Sequence, residues 1–117
     1  MDIDKLNEAI SKMIKTSKGG VLSVGIYSSK DDLLIVGENT SDGATSVINN
    51  LFQIFFEKLK MFNFADTLEA SVLVFEDQIF YTVSLNEELN ITVILNPKKI
   101  ELGFFKGILL KEFFKSI

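Results

Sequence analysis

The stretch Ala44–Phe62, ATSVINNLFQIFFEKLKMF, decides how this chain is read. Its spacing is helical, but too much of it is apolar for an ordinary surface helix. A helix that packs on one sheet needs an apolar face roughly 100° wide. Ile48, Phe52, Phe55, Phe56 and Leu59 supply such a face, while Val47, Leu51, Ile54, Met61 and Phe62 widen it well beyond that. Surplus apolar surface of this extent marks an interface. The expectation is that part of this helix meets its own sheet and part meets a second copy of the chain.

Working outward, Asn39–Gly43 supplies turn and cap residues before the helix, with Ser41 or Asp42 able to accept from its free amides. A helix start of this kind can hold an anion, but the acidic Asp42 favours a plain cap. Upstream, Val21–Tyr27 and Asp32–Glu38 read as two strands of a hairpin joined by Ser28–Asp31. Leu22, Val24 and Ile26 alternate with Val21, Ser23, Gly25 and Tyr27. The run Leu33-Leu34-Ile35-Val36 is apolar at every position, which predicts a strand covered on both sides. Gly25 and Gly37 mark close backbone approach or a bulge. Further back, Asp2–Ser17 reads as an amphipathic helix, with Ile3, Leu6, Ile10, Met13 and Ile14 on one stripe. Asp2 or Asp4 can cap it and Gly19-Gly20 stops it.

Downstream, Asn63–Thr67 reads as a loop. Three strands follow: Leu68–Phe75, Ile79–Ser84 and Asn90–Leu95, joined by short polar connections. The β-branched run of the last one predicts an interior strand. Pro97 fits the first turn of a helix or the turn before it. Ile100–Ile117 then reads as a closing helix. Its Gly103 and Gly107 cost roughly 1 kcal/mol each relative to Ala and suggest close packing on the sheet. The order α-β-β-α-β-β-β-α, with both sheet faces apolar, predicts one domain over 1–117. The expected architecture is a three-layer α/β/α sandwich on a five-stranded antiparallel sheet.

Composition narrows the chemistry. The chain holds 117 residues, 47% hydrophobic and 24% charged, enough to bury a core. No Cys and no His occur. That excludes disulfides, the usual soft metal sites, thiol nucleophiles and histidine-based triads, and it fits a reducing cytosol. All 12 basic residues are Lys, so no arginine finger is on offer. The net charge of −4 argues against a nucleic-acid partner and against a polybasic membrane patch. Charge interrupts Met1–Lys18, so it reads as no targeting segment. No run approaches the ~20 apolar residues of a spanning helix. The expectation is a cytoplasmic protein without membrane insertion.

Three acidic pairs, Asp31-Asp32, Glu76-Asp77 and Glu87-Glu88, could hold a hard cation or act as acid and base. They fall on three separate hairpins, so solvated tips are the simpler reading. Phosphate-binding glycine motifs are absent. No catalytic residue, metal site or cofactor is expected, and the function is one of binding.

Gly20–Asn50, GVLSVGIYSSKDDLLIVGENTSDGATSVINN, with its strand DDLLIVGEN running into a helix, resembles the Roadblock/dynein light chain family. So does the passage LNPKKIELGFF, where Asn96 and Leu102-Gly103 lead from the last strand into the closing helix. The resemblance covers essentially the whole chain and implies a profilin-like fold. It also implies a homodimer, in which helices at Ala44–Phe62 pair across a two-fold and strands at Leu68–Phe75 join two sheets. Val47, Leu51, Ile54, Phe55, Lys58, Phe62, Glu69, Ser71 and Leu73 are the expected contact residues. The further implication is a non-enzymatic partner or scaffold for a small Ras-like GTPase, working without an arginine of its own. The rival expectation is a small-ligand sensor whose pocket Tyr27, Tyr81 and core Phe residues would line.

Overall fold

The computed structural model describes residues 2–63 and 68–117. The loop expected over Asn63–Thr67 falls, from residue 64 onward, outside the described residues. Ten elements follow one another: α1 (Ile3–Thr16), β1 (Val21–Ser28), β2 (Leu34–Glu38), α2 (Ala44–Met61), β3 (Ala70–Val74), β4 (Ile79–Ser84), β5 (Leu89–Leu95), α3 (Leu102–Phe104), a π-helical turn π1 (Phe105–Leu109) and α4 (Leu110–Ser116). The strands form one five-stranded sheet in the order β2-β1-β5-β4-β3. Every pairing is antiparallel. The β-branched strand β5 sits at its centre, as expected.

One face of the sheet carries α1 and the α3–π1–α4 run. Leu6, Ala9, Ile10 and Met13 of α1 meet Val24 and Ile26 of β1, Ile91, Val93 and Leu95 of β5, and Phe105, Leu109, Leu110 and Phe113 of the closing run in one apolar cluster. The Asp2 carboxylate caps α1 by accepting from the amides of Asp4 (2.9 Å) and Lys5 (3.3 Å). A register shift between Val21 and Ser23 breaks the simple alternation of β1. The extra residue returns Val21 to the same apolar cluster as Val24 and Ile26.

The closing helix is not uniform. Phe105, Leu109 and Phe113 all face the core at four-residue steps. At 3.6 residues per turn such steps drift by about 40° each. The wide π turn absorbs the drift and keeps the three side chains on one side. Gly103 and Gly107 do not approach the sheet, contrary to expectation. A Cβ at either position would meet nothing within 4 Å.

The other face carries α2 alone, lying across β1, β5 and β4. This side of the sheet is not the apolar surface that was expected. Thr82 and Thr92 share a hydrogen bond of 2.9 Å, and the Tyr27 and Thr45 hydroxyls share one of 2.6 Å. Asn90 donates to Asn49 at 3.5 Å, and Asn49 in turn donates to Asp32. Asn50 reaches the second oxygen of Asp32 at 2.9 Å. Asp32 is therefore no solvated tip. With φ at 62° it folds back and ties the β1–β2 hairpin to α2. The buried amides and hydroxyls bond one another, which keeps the cost of their burial low.

Two expectations of close approach hold at Gly25 and Gly37, where an added Cβ would lie 2.7 Å from Tyr27 Cε2 and 2.9 Å from Thr40 Cγ2. The Tyr27 ring is buried and held at its hydroxyl, so it cannot swing aside. Gly25→Ala is expected to destabilise the fold by about 1–3 kcal/mol, read as a lower urea midpoint with an unchanged slope.

Burial pushes the Tyr27 hydroxyl above its ordinary 10.0; the Thr45 bond lowers it in part, and Asp32 and Asp42 raise it further. Burial, then Glu69, likewise raises Tyr81. A raised folded value means the neutral rings contribute stability below pH 10, and this is lost as pH climbs through the folded values. Tyrosinate absorbance, free of tryptophan in this chain, should therefore have its midpoint above 10.0.

The β2 strand departs from expectation in a different way. Only Val36 is buried, whereas Leu33, Leu34 and Ile35 are exposed. The apolar run lies on an edge strand, where α1 packs against one face and α2 does not extend over the other.

Candidate interaction surface

The α2 helix has two sides. Gly43, with φ at 76°, stands at its N-cap without a side chain, and the Asp42 carboxylate just outside accepts from the Ala44 amide at 3.1 Å. Thr45, Ile48, Asn49 and Phe52 are buried against the sheet, and Phe56 and Leu59 are half-buried on the same stripe. Phe52 is 4% exposed. Phe55, which the sequence placed with these residues, points away and is 57% exposed. Phe62 is 68% exposed, just past the helix end. Val47, Leu51, Ile54 and Met61 complete the exposed apolar side. The surplus read from the sequence is therefore on the surface.

The β3 strand is the sheet edge nearest to this side. Its five residues pair in unbroken register with β4 and, among the described residues, with nothing beyond. The register puts Ser71 and Leu73 on the same side of the sheet as Thr82 and Phe80, which is the α2 side. Because α2 lies over β1, β5 and β4, a cleft of about 450 Å³ opens between it and β3. Leu51, Ile54, Phe55 and Lys58 form its helical wall, Ser71 and Leu73 its strand wall, and Ile48, Phe52 and Val72 contribute the rest.

Six of the nine residues expected to make contacts thus line one cleft. Val47 and Phe62 lie towards the two ends of the helix, outside the cleft, and both are exposed. Glu69 precedes β3, where its carbonyl accepts from the Ser84 amide at 3.0 Å. It lines a second cleft of about 440 Å³ together with Gln53, Phe56, Ser29 and Asn86. The sequence reading missed Val72, Val74 and Phe75, which are all exposed. Val72 and Val74 are exposed because neither sheet face is fully covered at an edge strand. A position beside an unpaired edge was the available signal.

The remaining candidates disperse. Asp31, Glu76, Asp77, Glu87 and Glu88 are exposed at three turns. Among the described residues, no three acidic groups come together to hold a metal ion. Tyr27 is bonded to Thr45, and Tyr81 packs edge-on to Phe105 at 5.6 Å between ring centres. Both rings are thus packed into the fold. No described helix is long and apolar enough to cross a membrane.

No protein-family model matches the chain, and neither does any curated protein sequence. Solved structures do match. MglB of Myxococcus xanthus superposes with a TM-score of 0.77 at 13% identity, over 98% of this chain and 86% of that one. A Roadblock/LC7 domain from Streptomyces avermitilis gives 0.71 at 10% identity, over 94% and 89%. This chain has the Roadblock/LC7 fold. A third match is an MglB with a tetrameric arrangement, at 0.68 and 9% identity over 98% and 92%. In all three the likeness covers at least 94% of this chain.

Proposed function

We propose that this chain is a non-enzymatic, homodimeric interaction module that binds a small Ras-like GTPase and regulates or localises it. The observation that carries the dimer is the cleft between α2 and β3, with its apolar helical wall and unpaired strand edge. A two-fold axis through this region pairs β3 with its copy and lays one α2 beside the other. Val47, Leu51, Ile54, Phe55, Lys58, Phe62, Glu69, Ser71 and Leu73 form the contact. A closed two-fold contact of this kind hides the apolar surface and the open edge together. The MglB with a tetrameric arrangement is a structural match that self-associates.

What supports the GTPase partner is the resemblance to the Roadblock/dynein light chain family. Without arginine, the chain acts on a GTPase by repositioning the partner's own groups. The test is capture of the organism's small GTPases, loaded in turn with GDP and a GTP analogue, on the immobilised dimer. Nucleotide-dependent retention of one of them supports the reading, and retention of none overturns the partner assignment.

A second reading, a small-ligand sensor, is favoured by one atom. The Nε2 of Gln53 is buried and has no hydrogen-bond partner among the described residues. Gln53 lines the second cleft, between α2 and the β4–β5 turn. A small molecule that copurifies and shifts the Gln53 side-chain amide resonance supports this reading; an unperturbed resonance removes it.

A further inference from the structure

The net charge of −4 hides a strong separation. The segments 1–18 and 98–117 hold nine of the 12 lysines and five of the 16 carboxylates, a net of +4; the rest of the sequence is left at −8. In the fold these two segments come together, because α1 packs against α4 on the face of the sheet opposite α2. The nine lysines are all exposed. Among them, Phe104 and Ile108 are 48% and 50% exposed on the closing helix. Gly103 and Gly107 beside them have open space where a side chain would stand. Lys12 of α1 and Glu112 of α4 line the same shallow groove as Ile108, so lysine and apolar side chains meet along the seam between α1 and the closing helix.

We infer that this basic helical face docks peripherally on an anionic lipid surface. Lysines attract the negative headgroup layer, and protruding apolar side chains enter the headgroup boundary. Neither signal holds a protein on a membrane well by itself, and this face carries both. Phe104 and Ile108 stand out from the surface, and a lipid boundary accepts protruding side chains without a preformed pocket. The geometry of the proposed dimer doubles the effect. A two-fold that joins β3 to its copy and sets the two α2 helices side by side leaves both basic faces pointing the same way. Avidity then rests on the dimer, whereas the patch itself does not.

The test is flotation of the full chain with phosphatidylcholine vesicles, with and without phosphatidylserine, at low and high salt. Binding is expected only with phosphatidylserine and is released by salt. A Lys111→Gln/Lys115→Gln double variant should bind roughly 30-fold more weakly, at about fivefold per lysine. Phe104→Ser/Ile108→Ser should weaken binding without changing its salt dependence. Circular dichroism guards against misfolding in both. No flotation at low salt, equal flotation with both vesicles, or undiminished binding by the lysine variant overturns the inference. So does retention on an acidic polymer without vesicle binding, which would assign the face to an acidic macromolecule. The two proposals fail separately. A dimer that does not float overturns the patch alone, whereas a Phe55→Glu monomer that still floats in a salt-sensitive way supports the patch without the dimer.

Discussion

Phe55→Glu is expected to convert the proposed dimer to a monomer while leaving each chain folded. The ring is more than half exposed on the α2 wall of the cleft, so a carboxylate there costs the isolated chain little. At a dimer centre the same carboxylate would be buried without a partner. Loss of a central aromatic anchor typically weakens an interface by about 2–4 kcal/mol, or some 30- to 900-fold in Kd. Light scattering across a dilution series should show mass halving at concentrations where the parent stays dimeric. Far-UV circular dichroism should overlay. If assembly is unchanged, the two-fold contact does not pass through this helix, and the proposed arrangement is wrong.

The second large effect is expected at Phe105→Ala. This ring is fully buried at the start of the π turn and stacks edge-on to Tyr81. Emptying such a site costs about 3–5 kcal/mol, a large part of the 5–15 kcal/mol that holds a typical domain. For a chain of this length the melting temperature should fall by roughly 10–20 °C. Phe104→Ala is the control, since this adjacent ring stands half in solvent and its loss should shift stability by no more than about 0.5 kcal/mol. A small loss at Phe105 would mean that π1 relaxes to an ordinary helix and refills the space.

What the sequence disclosed follows from periodicity. The stripe of α1, the central strand β5 and the two-sided excess on α2 are local patterns, and each survives in the fold. Contacts between distant segments decided the rest. The run Leu33–Val36 looks the same whether the strand is interior or at an edge, because only strand order assigns it a neighbour. Phe55 and Phe56 are adjacent in the chain, and a shift of one residue, about 100° of helix rotation, separates the cleft from the sheet. The polar layer under α2 was present as Tyr27, Thr45, Asn49, Asn90 and Asp32, but their bonds cross up to 41 positions of sequence. The separation of charge was likewise hidden, since composition averages over surfaces that the fold sets apart.

The two ends of the sheet differ in a way that sets how far assembly runs. The β3 end is a regular ladder open to a partner. The β2 end is no shorter, but its pairing slips between Ile26 and Tyr27, a distortion that spoils a template for further strands. In the dimer proposed above, where two β3 ends meet, only the two distorted β2 ends face outward. Strand-by-strand growth is then expected to stop at ten strands, giving a counted particle instead of a fibre.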